Sequence, residues 1–291
     1  MAIKYELEIV PLIGRGLPSD PRLSPRRHRL LVLASPLLVL AVGAVAAHVF
    51  SNLLGRWAWT GGMLVYWALL VGLVWAFAGK ERLISWFAPS RGNRLWLALA
   101  LAAGLLSFPF LLLPNLGLLA SIPLVVLWLI FAPVNGACEE LYWRGLLLDK
   151  TAGTSRWIIV GYSSIAFVAN HPLMLGVFAK AMAVNLAAPG RLIPFGAIVF
   201  FQGLVWSILF LRTGSLRLSI LSHALTDLGT LFHFHLYEHG SGPVSQGLVG
   251  RALECCDAFA LPDRRLRLLP DVGAPGELFH PDISNPIDAE M

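Results

Sequence analysis

The stretch LGLLASIPLVVLWLIFAPV at residues 116–134, continued by NGACEELYWRGLLLDK at 135–150, decides how the whole chain is read. Its first part is long and apolar enough to cross a bilayer. It then runs into two adjacent carboxylates, Glu139 and Glu140, with Arg144 one turn further on. A carboxylate at the centre of a membrane helix costs about 2.5–3.5 kcal/mol even on the lenient insertion scale, so such residues are rare and by default mark function. Between Leu30 and Tyr237 there are only five acidic residues: Glu81, Glu139, Glu140, Asp149 and Asp227. Glu81 and Asp149 stand beside lysines at expected helix ends, whereas the other three fall where hydrocarbon is expected.

The composition agrees. Of 291 residues, 57% are hydrophobic and 13% charged, with a mean hydropathy of +0.70. A soluble domain is nearer half apolar and a quarter charged. The expected fold class is therefore all-α, a polytopic membrane helix bundle with about seven to eight transmembrane helices. The net charge of +5 comes from arginines at helix ends and reads as topology control, not nucleic-acid binding. Cys138, Cys255 and Cys256 form neither a disulfide framework nor a zinc-type CxxC pair.

Spans are expected at Leu30–Phe50 (uncleaved), Gly61–Gly79, Leu95–Leu113 and Leu116–Val134. The fourth continues through Gly136–Leu148, either long and tilted or broken near Pro133 and Gly136. Trp157–His171 should end where Pro172 stops it, and Leu192–Leu211 and Leu216–Tyr237 follow. Leu173–Ala188, with Lys180 and Asn185, reads as an interfacial or re-entrant helix or as an eighth span. Four regions result: a basic leader at 1–29, N-terminal helices at 30–115, a helical core at 116–237 and a polar tail at 238–291. Lys and Arg in the short loops place the N-terminus in the cytoplasm of an integral, expectedly plasma-membrane, protein.

Three polar clusters interrupt the apolar helices: Glu139-Glu140-x-x-x-Arg144, Phe167-x-x-x-His171 and His223-x-x-x-Asp227. Residues four apart share a helix face, so Glu140 can pair with Arg144, and His223 with Asp227. Glu139 and Glu140 point about 100° apart, which suggests a division of labour. At about 1.5 Å per residue, Glu139 lies about 16 Å from Lys150 and His171 about 22 Å from Arg156, while His223 lies about 9–16 Å from Arg217 and Arg212. These depths are compatible with one site inside the membrane.

In order, these clusters resemble the motifs of the CPBP intramembrane proteases, the family of the type II CAAX prenyl endopeptidases and the bacterial Abi proteins. The resemblance covers about residues 116–237. It implies a peptidase that cleaves membrane-anchored peptides or proteins, with Glu139, Glu140, His171, His223 and Asp227 as catalytic candidates and Arg144 and Phe167 as structural support. On one reading of the family, Glu139 and His171 activate water while His223 and residue 227 hold the oxyanion. On the other, a divalent metal such as Zn is held by some of Glu139, His171 and His223. The family's asparagine would suit the oxyanion role better than Asp227, which would have to be protonated to donate or would instead orient His223. Two other function classes stay open: a non-catalytic immunity or partner-binding membrane protein, and a proton-coupled transporter. The expected partners are the substrate and the bilayer, with no nucleic acid.

Bland readings compete. Glu139, Glu140 and Arg144 can be a buried ionic cluster that only packs helices, and a lone membrane histidine is commonly an interhelical contact. His233, His235, Glu238 and His239 suit an interfacial belt. Cys138 suits packing, since Arg144, the one nearby cation, already has a partner. The tryptophans suit membrane interfaces. Of the two glutamates, Glu139 is the better base, because Glu140 has a cation four residues on.

Overall fold

A computed structural model describes residues 24–54, 58–90, 94–113, 122–150, 155–178 and 189–230. Within these residues the chain is an all-α membrane helix bundle. Helix α1 spans Pro25–Leu53, α2 Ala58–Ala78 and α3 Lys80–Trp86. Helix α4 spans Arg94–Leu105 and passes into a π-helical segment at Phe108–Leu112. Helix α5, Ile122–Glu140, leads through a π-helical segment at Leu141–Leu146 into the short α6, Leu147–Lys150. Helices α7 (Arg156–Phe178), α8 (Pro189–Thr213) and α9 (Arg217–Thr230) complete the bundle.

Polarity is inverted relative to a water-soluble domain. Leu37, Trp75, Ile130, Ile165 and Phe201 point outward, while Asn135, Glu139, Glu140, Arg144, Asn170, His223 and Asp227 are buried. Among the described residues, four helical stretches are long and apolar enough to cross a bilayer: Pro25–Phe50, Thr60–Ala78, Val125–Asp149 and Ile193–Thr213. The remaining expected spans fall short of that measure for physical reasons. Helix α4 changes register early, and α9 carries Ser219, Ser222, His223, Thr226 and Asp227 on its buried face. The leader up to residue 23, the segment 179–188, the histidine belt at 233–239, and the tail with Cys255 and Cys256 lie outside the described residues.

Prolines act differently from the expectation. Helix α7 runs through Pro172 to Phe178. A proline removes one backbone donor, here the one that would have served Val168, and membrane helices tolerate that loss. Likewise α5 passes Pro133 and Gly136 unbroken, and the irregularity comes later, directly after the glutamate pair. In α1, Pro36 frees the Val32 carbonyl, and the neighbouring Ser35 hydroxyl takes it over at 2.7 Å. The expected Leu95–Leu113 helix changes register near Pro109, whose missing N–H and ring obstruct the α-type bond to residue 105.

The helix that carries His223 and Asp227 is set by small residues. Gly214, at φ +67°, lets α8 turn into α9. A β-carbon on Gly104 of α4 would stand 2.7 Å from the Ser222 carbonyl oxygen and from the Leu225 side chain. One on Gly136 of α5 would stand 3.1 Å from the Ala224 nitrogen. These glycines let α4 and α5 close on α9 at backbone distance, the device by which membrane helices associate without a hydrophobic drive between them. Three tryptophans depart from the interfacial expectation: Trp86, Trp143 and Trp206 are core residues.

Replacing Gly104 by valine should therefore destabilise the bundle by about 1–3 kcal/mol or more, read as a lowered thermal unfolding midpoint in detergent. Gly72→Ala, which meets open space, should leave the midpoint nearly unchanged. A Gly104→Val protein as stable as the parent would contradict this packing.

Candidate active site

Helix α5 delivers Glu139 and Glu140 at its last turn, where the π-helical segment begins. π-Helical turns are rare and frequently lie at functional sites. Helix α9 delivers His223 and Asp227 opposite them. The His223 ring stands between the glutamates. Its Nδ1 lies 2.8 Å from Glu140 Oε1, and its Nε2 lies 3.2 Å from Glu139 Oε2 and 3.6 Å from Asp227 Oδ1. Trp206 of α8 stacks on the ring at 3.8 Å with an interplanar angle of 10°, fixing its plane. The Trp206 indole N–H is itself anchored on Ser222 Oγ at 3.1 Å.

The glutamates are held differently, as their 100° separation suggests. Glu140 is fully buried and accepts on one oxygen from both Arg144 Nη1, at 2.8 Å, and His223. The expected intrahelical Glu140–Arg144 pair is thus present. The Arg144 guanidinium also lies 4.4 Å over the Phe167 ring and 5.1 Å from that of Trp206, so aromatic faces replace part of its solvation. Its Nε and Nη2 have no hydrogen-bond partner among the described residues.

Glu139 has no cation on its own helix. It accepts from the Tyr66 hydroxyl at 2.9 Å. That hydroxyl in turn accepts from Trp143 Nε1 at 3.2 Å and Asn170 Nδ2 at 3.0 Å, so its donor and both lone pairs are engaged. Asp227 accepts from Asn135 Nδ2 at 2.8 Å. Asn135 Oδ1 accepts from Trp67 Nε1 at 2.9 Å, which fixes the orientation of the amide.

His171 is placed less directly. Its Nδ1 lies 2.9 Å from the Phe167 carbonyl and its ring 4.4 Å from the Phe167 ring. It feels the charge of Glu139, but no direct hydrogen bond or ion pair joins the two. The structure therefore brings Glu139, Glu140, His223 and Asp227 into direct contact, with Arg144 and Phe167 as their support and His171 one step away. Cys138 is buried and free.

Several members of this network went unnoticed in the sequence. Asn135 had a signal, because it stands four residues before Glu139 and so shares its face. Asn170 had a weaker one, as the neighbour of His171. Tyr66, Trp67, Trp143 and Trp206 had none, since an aromatic residue in an apolar helix has the same appearance whether it faces lipid or a carboxylate.

Residues 120–229 match the family model described as Type II CAAX prenyl endopeptidase Rce1-like. No curated protein and no solved structure matches the chain. The matched segment contains all three motif clusters. Together with the four apolar spans, it makes the chain an integral membrane protein.

Arg144→Ala should be strongly destabilising. It would leave Glu140 with the imidazole alone, and removing one partner of a buried ion pair costs about 3–5 kcal/mol. A sharp loss of folded protein in detergent extracts is expected, together with a lower unfolding midpoint in whatever survives. Normal yield and midpoint would show that the pair does not hold the helices.

Proposed function

We propose that this chain, which carries the Rce1-like domain at residues 120–229, is an endopeptidase that hydrolyses membrane-anchored or membrane-proximal peptides with an activated water. One observation carries the reading: two adjacent glutamates grip one imidazole in different ways. Glu140 is committed to Arg144 and His223 and serves as a fixed counterion. Glu139 receives only a hydroxyl donor and the edge of the imidazole, so it is the carboxylate available to take a proton.

The chemistry follows. A water between Glu139 and His171, which interact without touching, loses a proton to Glu139 as its oxygen adds to the scissile carbonyl carbon. The C=O electron pair moves onto the oxygen. The Nε2–H of His223, steered by Glu140 on Nδ1 and by the stacked Trp206, donates to that oxyanion. Collapse then breaks the C–N bond, and Glu139 returns its proton to the leaving amine. Asp227, an acceptor from Asn135, suits orienting His223 better than donating to an oxyanion.

Among the described residues no group of three His, Cys, Asp or Glu is disposed to hold an ion. Both nitrogens of His223 face carboxylates. These residues do not fit a ready metal centre, so the scheme uses protein groups and water throughout.

Basic residues also support the expected orientation, with the N-terminus in the cytoplasm. Arg82 pairs with Asp149, Arg217 Nε bonds the Phe87 carbonyl at 2.8 Å, and Arg212 lies over Trp96, gathering the helix ends at 80–87, 94–96, 149 and 212–217 on one side.

The test is cleavage of membrane-anchored peptides in proteoliposomes. Glu139→Gln should lower turnover by about 10²–10⁴-fold, the range for a lost general base, while the protein stays folded. Glu140→Gln should chiefly lower stability, and a chelator should leave cleavage intact. Substantial turnover by Glu139→Gln would overturn the assignment of the base, and abolition by the chelator would favour a metal.

A further inference from the structure

Helix α2 lies wholly outside residues 120–229, yet one residue of it bonds a carboxylate of the site and the next bonds the asparagine that holds another. Asn135 and Glu139 are four apart on α5 and share the face that meets α2. Tyr66 donates to Glu139 Oε1 at 2.9 Å. Trp67 donates to Asn135 Oδ1 at 2.9 Å, and the Asn135 amide donates to Asp227 Oδ2 at 2.8 Å. We propose that the Tyr66-Trp67 pair of α2 positions the reacting groups, Tyr66 by holding Glu139 directly and Trp67 by holding Asp227 through Asn135. The inference rests on the reading of Glu139 as the base.

The geometry distinguishes this from ordinary packing. Tyr66 is fully buried, and its hydroxyl takes part in three hydrogen bonds from three separate partners. Trp143 and Asn170 saturate its lone pairs, so its single proton must go to Glu139. A hydroxyl with no freedom to turn fixes which oxygen of Glu139 is occupied and leaves the other toward His223. Trp67 does the same for Asn135. Its N–H can meet only the oxygen of the amide, so the NH₂ is turned to Asp227. The Trp67 ring is braced on Phe131 at 4.9 Å. The site is thus completed from outside the motif-bearing segment, and the placement of α2 governs two of its three carboxylates, Glu139 and Asp227.

Tyr66→Phe and Trp67→Phe retain aromatic rings and remove one donor each. In proteoliposomes, Tyr66→Phe should lower kcat about tenfold, the equivalent of one hydrogen bond worth about 1.4 kcal/mol, with KM unchanged. Trp67→Phe should lower it by less. The control is Tyr142→Phe. It loses an equally buried hydroxyl contact, to Ser35 Oγ at 2.7 Å, away from the carboxylates, and should keep the parental kcat.

A second readout is independent of turnover. In difference infrared spectra, the carboxylate band removed by Glu139→Gln should shift in Tyr66→Phe but not in Tyr142→Phe. The band removed by Asp227→Asn should shift in Trp67→Phe. Unshifted bands, or a parental kcat in a folded Tyr66→Phe protein, would overturn the inference. If Glu139→Gln itself stays active, the assignment of the base fails, whereas the infrared shifts still decide whether α2 holds these carboxylates.

Discussion

The grip of Glu139 and Glu140 on the two nitrogens of His223 is the contact around which the bundle is organised. Three carboxyl groups, a guanidinium and an imidazole are withdrawn from water in a protein whose outer surface is apolar. Burying such groups carries a desolvation penalty of several kcal/mol per ion, offset only where geometry and hydrogen bonding are both good. That requirement explains features that otherwise look unrelated: the glycines that bring α9 against α4 and α5, the stacked Trp206, the aromatic faces around Arg144, and the anchored Tyr66 hydroxyl.

The π-helical segment after Glu140 belongs to the same logic. A regular helix would carry α5 straight on toward Lys150. The widened turn at Leu141–Leu146 instead comes immediately after the glutamates, while Arg144 still reaches back to Glu140. Irregular backbone in a membrane protein is tolerated where it is buried in protein rather than exposed to lipid, and Tyr142 through Leu146 are all buried. The irregularity therefore sits beside the buried carboxylates, and the prolines of α5 and α7 leave their helices unbroken.

In the proposed catalysis, the division between the glutamates matters more than their number. A carboxylate fixed by a guanidinium and an imidazole is a good counterion and a weak base; one held by a neutral hydroxyl and the edge of the shared imidazole is the less committed of the two. Adjacent positions on one helix turn give both roles, because side chains 100° apart meet different neighbours. Glu140 meets its own helix's arginine and the near nitrogen of His223. Glu139 meets α2 and the far nitrogen.

The sequence by itself determined the membrane class, the helical build, the three polar clusters and the Glu140–Arg144 pair. These depend on composition and on helical spacing, which are local properties of the chain. It also ranked Glu139 above Glu140 as the base, from the position of one arginine. Tertiary structure decided the rest: that His223 bridges both glutamates, that Asp227 answers to Asn135, that His171 stands one step away from Glu139, and that α2 supplies Tyr66 and Trp67. It also decided that Pro172 and Pro133 leave their helices unbroken while the register shifts after Glu140. Each of these turns on which faces meet between helices far apart in the chain, and an aromatic or a proline within an apolar run carries no local mark of what will lie opposite it.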